Sequence, residues 1–296
     1  MDTNIVFIGA GEIGSSLGGL LKKKGYAVEW WDADTSRVPN QKELADIVPS
    51  ADVLFLCIPS WAHRSALAAC APYFFQKTIV LTVSKGLERE TKKTIASVMG
   101  ESLPISQPFG ILSGPMLAEE MDADQFGCGV YTTVYEDTHQ IIEELFSGTV
   151  LRIEYSPDVL GVVYAGVLKN VYALAIGISD GLSLGDNARG WIITKALREA
   201  GDIVYHLGGL RETVYSPAGL GDLIATGCSD FSRNREEGKK IAQTGVCSAT
   251  SEGCVSLPSL IALLKNTDDF PLLKTLERIF FSHEDVKTSM LSLLRK

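Results

Sequence analysis

The feature that most restricts this chain lies at its start, where Ile5-Val6-Phe7-Ile8 runs directly into Gly9-Ala10-Gly11-Glu12-Ile13-Gly14. A short apolar strand, a glycine-punctuated turn and the opening of a helix, in that order, leave few folds open. Gly9 suits the tight turn, Gly11 lets backbone approach a pyrophosphate, and Gly14 lets helix and strand pack closely. The helix start then offers unpaired N–H groups and the positive end of its dipole to phosphates. Gly9, Gly11, Glu12, Ile13 and Gly14 are therefore the predicted dinucleotide-binding residues. A glycine turn used only for packing reads the same way, so the second strand matters. Val28-Glu29-Trp30-Trp31 ends on Asp32, 18 residues after Gly14. A carboxylate there would accept the adenosine ribose hydroxyls and repel a 2′-phosphate, favouring NAD, with NADP possible. Asp34 could act in its place, or Asp32 could simply cap the next turn with Asp34 and Thr35.

The alternation continues through the first half. Val53 to Ile58 and Thr78 to Val83 read as further buried strands, separated by helical patterns over Ile13 to Lys24, Ala62 to Phe75 and Thr91 to Met99. This predicts βαβ units and an α/β fold with a Rossmann-type, doubly wound, mostly parallel sheet. From Ser156 the strand-like runs stop, and Ser156-Pro157-Asp158 offers an N-cap, a proline at the first helical position and a first-turn acid. Two domains are expected: a dinucleotide-binding Rossmann domain over 1–155 and an all-helical substrate-binding and catalytic domain over 156–296.

Composition removes other classes. The 296 residues carry 27 Lys+Arg against 36 Asp+Glu, a formal net charge of −9, which excludes a broad basic footprint for nucleic acid or anionic lipid. Any anion site must be built from a few particular cations. Six cysteines without a CxxC pair and four scattered histidines give no zinc-ligand spacing, so no metal is expected, and a reducing cytosol fits. The start Met1-Asp2-Thr3-Asn4 lacks the basic region of a signal peptide, and no apolar run is expected to reach the ~20 residues of a membrane span. A soluble cytoplasmic protein with no membrane partner is the expectation. Trp30, Trp31 and Trp61 read as core aromatics, His63 and His206 as surface or satisfied histidines, and Cys57 as a buried strand residue with no sign of a reactive thiol.

Four further segments go beyond a generic dinucleotide fold. They are Ser84-Lys85-Gly86-Leu87-Glu88, Leu112-Ser113-Gly114-Pro115-Met116-Leu117-Ala118-Glu119-Glu120, and two in the helical half. The latter are Leu168-Lys169-Asn170-Val171-Tyr172-Ala173 leading to Asp180-Gly181-Leu182 and Gly185-Asp186-Asn187-Ala188, and Gly219-Leu220-Gly221-Asp222-Leu223 followed by Ser232-Arg233-Asn234-Arg235. In that order and spacing, over nearly the whole chain, the set resembles the NAD(P)-dependent sn-glycerol-3-phosphate dehydrogenases. The resemblance implies reversible hydride transfer between a nicotinamide and C2 of dihydroxyacetone phosphate, giving sn-glycerol 3-phosphate for phospholipid biosynthesis. It also implies a homodimer.

Hydride addition to a ketone needs a proton donor, anchors for the phosphate and a dry site. Lys169 is the candidate donor, because Val162, Ala165, Gly166, Tyr172 and Ala173 share its helical face and an apolar face disfavours the ammonium form. Asp222 would hold that ammonium, as the family pattern implies, and Asn170 would add an orienting amide. Ser232, Arg233 and Asn234, just before a helical stretch from Arg233 to Ile241, suit a phosphate grip. By resemblance Arg233 also reaches the cofactor, while Arg235 reads as part of a solvated face outside the site. Lys85 falls at the C-terminal edge of the sheet and matches a family lysine contacting both cofactor and substrate. Gly114 and Ala118 match backbone contacts to substrate and cofactor, and Glu252 matches a distal acid at the nicotinamide end. Two departures stand out: Met116 replaces a usual Ser or Thr at the substrate, and the stretch between Trp31 and Val53 is short for the family. A ketopantoate reductase-like or opine dehydrogenase-like enzyme is the first rival, and an NADH-binding sensor without chemistry the second. The presence of Lys169, Asp222, Arg233 and Asn234 argues against the sensor.

Overall fold

The computed structural model describes residues 3–75, 77–247 and 250–295, so Met1 and Asp2 of the N-terminal expectation lie outside it. The chain divides into two compact units: Met1–Ser84 with Thr94–Val159, and Lys85–Lys93 with Leu160–Lys296. A single cut near residue 155 contains no such excursion at 85–93.

In the first unit, strands β1 (Asn4–Ile8), β2 (Ala27–Trp31), β3 (Val53–Leu56), β4 (Ile79–Thr82), β5 (Phe109–Ser113), β6 (Gly127–Thr133) and β7 (Leu151–Tyr155) form one sheet in the order β2-β1-β3-β4-β5-β6-β7. Neighbours are parallel except β5 and β6. The side-chain alternation of a strand explains why the early strands read as continuous apolar runs. Ile5, Phe7, Val53, Phe55, Ile79 and Leu81 enter the core on one face, and Val6, Ile8, Leu54, Leu56 and Val80 enter the core on the other. Helices α1 (Glu12–Lys24), α2 (Leu44–Ile47), α3 (His63–Cys70), α4 (Ile95–Ser102), α5 (Ala118–Asp122) and α6 (His139–Phe146) complete this unit. Two of them differ from expectation for local reasons. The helix predicted over 91–99 begins at Ile95 because the Thr94 hydroxyl caps it, accepting from the Ser97 N–H at 3.2 Å. The one predicted to reach Phe75 stops at Cys70, where Pro72 follows in a tighter turn.

The second unit is helical: α7 (Val159–Gly181), α8 (Asp186–His206), α9 (Asp222–Cys228), α10 (Arg233–Thr244), α11 (Glu252–Leu264), α12 (Pro271–Phe281) and α13 (Val286–Leu294). The helix expected from Ser156 starts three residues later, with the Ser156 hydroxyl accepting from the Asp158 N–H instead. Helix α7 corrects another expectation. At 23 residues it is long and apolar enough to cross a membrane by length and composition. It is instead buried nearly all round by its own unit, from Val162 through Ile178, as befits the central helix of a core. The cysteines hold a further difference: Cys247 and Cys254 form a disulfide, with Cα atoms 6.0 Å apart. A spacing of seven matches no motif; Cys247 follows α10 and Cys254 lies in α11. Cys57 lies one residue past β3 and is half-buried, and Trp61 is exposed. His63 is buried and satisfied, between Thr82 Oγ1 at 2.8 Å and the Pro59 carbonyl, and burial pushes its pKa down to about 4.

Candidate active site

In the helical unit, three charged side chains meet. Asp222, the first residue of α9, is 3% exposed; its Oδ2 lies 2.5 Å from Lys85 Nζ and its Oδ1 3.0 Å from Lys169 Nζ. Lys169 also donates to Thr226 Oγ1 at 2.8 Å, and Thr226 donates to Asp222 Oδ1 at 3.1 Å. Each lysine reaches this carboxylate for a local reason. Lys169 sits mid-way along α7 with Val162, Ala165, Tyr172 and Ala173 buried beside it, the apolar face expected of it. Lys85 is held by the 85–93 excursion, which drives Leu87 into the helical core. The excursion closes on itself through Glu88 N–H to the Lys93 carbonyl and Lys92 N–H to the Glu88 carbonyl, both 2.8 Å. A wide π-type turn at Pro217–Gly221 delivers Asp222, with the Ser216 hydroxyl capping Ala218.

The electrostatics follow from burial. Desolvation pushes the Lys169 ammonium down to about 8, opposed by the attraction of Asp222 and reinforced by the like charge of Lys85. For Asp222 burial works the other way, but Lys169 and Lys85 outweigh it and hold the carboxyl below its ordinary range. The result is a lysine poised near neutrality and a carboxylate that stays ionised.

A chain of amides extends from this centre. Asn170 donates from Nδ2 to the Lys85 carbonyl at 3.0 Å, and its Oδ1 accepts from Asn234 Nδ2 at 2.8 Å. Asn234 Oδ1 in turn accepts from Ser251 Oγ at 2.9 Å and from the Gly253 N–H at 3.0 Å. Glycine makes the close approaches possible. A Cβ on Gly253 would stand 2.5 Å from the Asn170 carbonyl oxygen, and one on Gly238 would stand 2.3 Å from that of Leu174. Helix α10 begins with Ser232 as N-cap, its hydroxyl accepting from the Arg235 N–H at 3.2 Å. Arg233 is exposed at the helix start beside buried Ser232 and Asn234, a fork and N–H groups suited to an oxyanion. Glu252 opens α11, half-buried, and its charge adds to the forces favouring the Lys169 ammonium.

In the sheet unit, the glycine-rich loop separates folding needs from binding needs. Gly9 has a φ of 105°, and a Cβ there would stand 2.4 Å from the Cys57 carbonyl oxygen; a Cβ on Gly14 would stand 2.1 Å from that of Gly9. Both glycines are required by the fold. Gly11 is not, since a Cβ there meets only Arg37 Nη1 at an ordinary 3.5 Å. Its lack of a side chain keeps a cradle open in front of α1, and the residues fit a dinucleotide pyrophosphate. Glu12 is exposed and Ile13 half-buried, and both lie in the first turn of α1. Asp32 is 8% exposed at the end of β2, accepting from the Ala10 N–H at 2.7 Å and the Asp34 N–H at 2.8 Å. These bonds are the turn-capping ones expected of it, and each carboxylate oxygen retains a second lone pair.

Residues 35–139 match the family model for the NAD-dependent glycerol-3-phosphate dehydrogenase N-terminus, and residues 158–291 match the model for its C-terminus. The glycerol-3-phosphate dehydrogenase [NAD(P)+] of Agathobacter rectalis is 31% identical, over 99% of this chain and 96% of that protein. The chain belongs to this family. The corresponding enzyme of Clostridium tetani is 32% identical over 99% of this chain and 92% of its own length. The crystal structure of glycerol-3-phosphate dehydrogenase from Coxiella burnetii superposes with a TM-score of 0.89 at 29% identity, covering 100% of this chain and 99% of that one.

Of the family-like residues predicted from sequence, Lys85, Lys169, Asn170, Asp222, Asn234 and Glu252 fall together in the helical unit, with Ser232 and Arg233 adjoining them. Gly114, Met116 and Ala118 belong to the sheet unit. Gly114 has a φ of 137° and no room for a Cβ beside the Cys128 carbonyl. Met116 is half-buried and packs on the core, and Ala118 opens α5. Sequence reasoning missed Thr226, Ser251 and Arg37. Thr226 was legible, four residues after Asp222 and so on its helical face. Arg37 lies 3.6 Å from Asp32 and from Asp34.

Proposed function

We propose that this chain is an NAD(P)-dependent oxidoreductase that interconverts dihydroxyacetone phosphate and sn-glycerol 3-phosphate. The observation that carries the reading is Lys169: a buried ammonium lowered to about 8, fixed by an ionised Asp222 and by Thr226. Bound NADH or NADPH would supply the hydride. Lys169 donates a proton to the carbonyl oxygen in reduction and takes it back in oxidation, which a pKa near the working pH allows in both directions. Asp222 keeps the lysine in place and stabilises its charged form. Lys85, on the other oxygen of the same carboxylate, adds positive charge where the alkoxide develops. Ser232, Arg233, Asn234 and the first N–H groups of α10 bind the phosphate, while Gly114 and Met116 border the substrate. Gly9, Gly11, Glu12, Ile13 and Gly14 hold the pyrophosphate, Asp32 the ribose, and Ala118, Lys85, Arg233 and Glu252 complete the cofactor's surroundings.

The division of labour we infer is a dinucleotide-binding domain over 1–155 and a substrate-binding, catalytic domain over 156–296, with Lys85 contributed from the former stretch. Asp32 and Asp34 against the single Arg37 leave this corner net negative, which supports NAD over NADP. A cytoplasmic homodimer is the assembly we propose. In a reducing compartment Cys247 and Cys254 would be thiols, a state that thiol titration of protein from the cytoplasm reads directly. The decisive assay follows oxidation of NADH and NADPH with dihydroxyacetone phosphate, dihydroxyacetone and a panel of 2-keto acids. Faster turnover of a 2-keto acid than of dihydroxyacetone phosphate would replace this reading with a ketopantoate reductase-like or opine dehydrogenase-like one. Tight NADH binding with no turnover would leave a sensor.

A further inference from the structure

A second ion cluster, with Asp180 and Arg235 buried at its centre and Arg189 and Asp230 toward solvent, lies in the helical unit apart from the lysines on Asp222. Asp180, near the end of α7, accepts from Arg235 Nε at 2.7 Å through Oδ2, and from Arg189 Nε and Nη2 at 3.0 and 2.8 Å through Oδ1. Arg235 sends Nη1 to the Ser229 carbonyl at 3.2 Å and to Asp230 Oδ1 at 2.8 Å. Ser229 and Asp230 open the turn that joins α9, which carries Asp222 and Thr226, to α10, which starts at Arg233. One guanidinium therefore ties the end of α7 to that turn. Its main chain is fixed as well: the Arg235 N–H donates to the Ser232 cap, and a Cβ on Gly177 would stand 2.0 Å from the Arg235 carbonyl oxygen.

Arg235 cannot itself grip substrate, since its side chain is 11% exposed and turned onto Asp180 and Asp230. The residues immediately before it are Arg233 and Asn234. A buried ion pair contributes little net stability compared with apolar packing, but it fixes geometry closely. We infer that Asp180 and Arg235 are positioning residues that set the first turn of α10, and with it Arg233 and Asn234, for recognition of the substrate's phosphate. This rests on the proposed function, and it accounts for an arginine that the phosphate grip does not use. Lysine cannot replace it, because a single ammonium does not span the Asp180 carboxylate and the Asp230 turn as a planar fork does.

The test compares Arg235→Lys and Asp180→Asn with the unaltered enzyme on dihydroxyacetone phosphate and on dihydroxyacetone, alongside NADH affinity and melting temperature. Displacing a binding group by about 1 Å can cost ~10²-fold, so a 10- to 100-fold loss in kcat/KM is expected on the phosphorylated substrate, carried mainly by KM. Dihydroxyacetone turnover should stay within about threefold, and NADH affinity, to which Arg233 also contributes, should fall by less than the affinity for the phosphorylated ketone. If Asp180→Asn fails to fold, leaving two arginines without their carboxylate, Arg235→Lys alone decides the matter. Equal losses on both substrates, or a fall in kcat with KM unchanged, would overturn the positioning role. An unaltered enzyme that shows no preference for the phosphorylated ketone would instead overturn the proposed function.

Discussion

With Lys169 as the proposed proton donor, the pH dependence of the reaction follows from that side chain's environment. Its ammonium falls from an ordinary 10.5 to about 8, so the folded site disfavours the proton by about 3 kcal/mol. Reduction needs the charged form. The kcat/KM for dihydroxyacetone phosphate should therefore be level at lower pH and fall tenfold per unit above about 8, while oxidation of glycerol 3-phosphate should rise through the same pH. Asp222→Asn removes the carboxylate 3.0 Å from Nζ. An opposite charge at such a distance shifts a pKa by about 1 to 3 units, so the descending limb should move down by that amount. Measuring both directions by nicotinamide absorbance from pH 5 to 10, in the unaltered enzyme and the variant, checks the sign. A limb that stays put in Asp222→Asn, or one that lies near 10 in the unaltered enzyme, would overturn Lys169 as the donor. Lys169→Ala should lower kcat by about 10² to 10⁴ with NADH binding near normal, and Lys169→Arg should restore little, because a guanidinium does not cycle its proton. Retention of more than about a tenth of the rate in Lys169→Ala would make Lys85 the donor to examine.

Arg233→Ala should cost about 2 to 4 kcal/mol in kcat/KM for dihydroxyacetone phosphate and far less for dihydroxyacetone. Parallel kinetics on the two ketones check this, and equal losses would place Arg233 in service of cofactor or fold. Asp32→Ser should relax the preference for NAD, read as the ratio of specificity constants with NADH and NADPH; an unchanged ratio would remove Asp32 from the ribose. Gly14→Ala should lower the melting temperature sharply, since its Cβ would sit 2.1 Å from a backbone oxygen, whereas Gly11→Ala should fold normally and weaken NADH binding. Thermal melts and cofactor titration separate the two.

Much of this molecule is legible in its sequence because the early strands are buried on both faces and so write unbroken apolar runs. The later strands are not. Glycine inside a strand weakens its pattern, yet a Cβ on Gly110 would stand 2.2 Å from the Tyr131 ring, and one on Gly129 would stand 2.7 Å from the Leu112 side chain. Glycine there makes room for a neighbouring strand's side chain, a reason that no local pattern carries. The span-like length of α7 is masked in the sequence because Lys169 and Asn170 interrupt it, although they are the residues the fold buries at its centre. In the site, Lys169 and Asp222 are readable from motif and face, and Thr226 from its spacing. Ser251 bridges to Asn234 across 17 residues of chain, and Cys247 and Cys254 pair at a spacing of seven. Neither leaves a local signature. Arg235 reads as solvated from its charged neighbours, but Asp180, 55 residues earlier, draws it inside.

The 85–93 excursion also bears on how the protein is made. Leu87 is fully buried among residues of the helical core, most of which are synthesised after position 160. Until α7 leaves the ribosome, that leucine has no pocket, and the first half of the chain must wait with an apolar side chain exposed and Lys85 unplaced. A protein cut near residue 155 would meet the same difficulty from both sides. The fragment 1–155 would keep a nine-residue loop with nowhere to dock, and 156–296 would fold around a cavity the size of a leucine, a defect that costs about 2 to 5 kcal/mol. Inheritance and excision of the two halves as separate modules are thereby discouraged, because each half carries part of what the other needs to be finished.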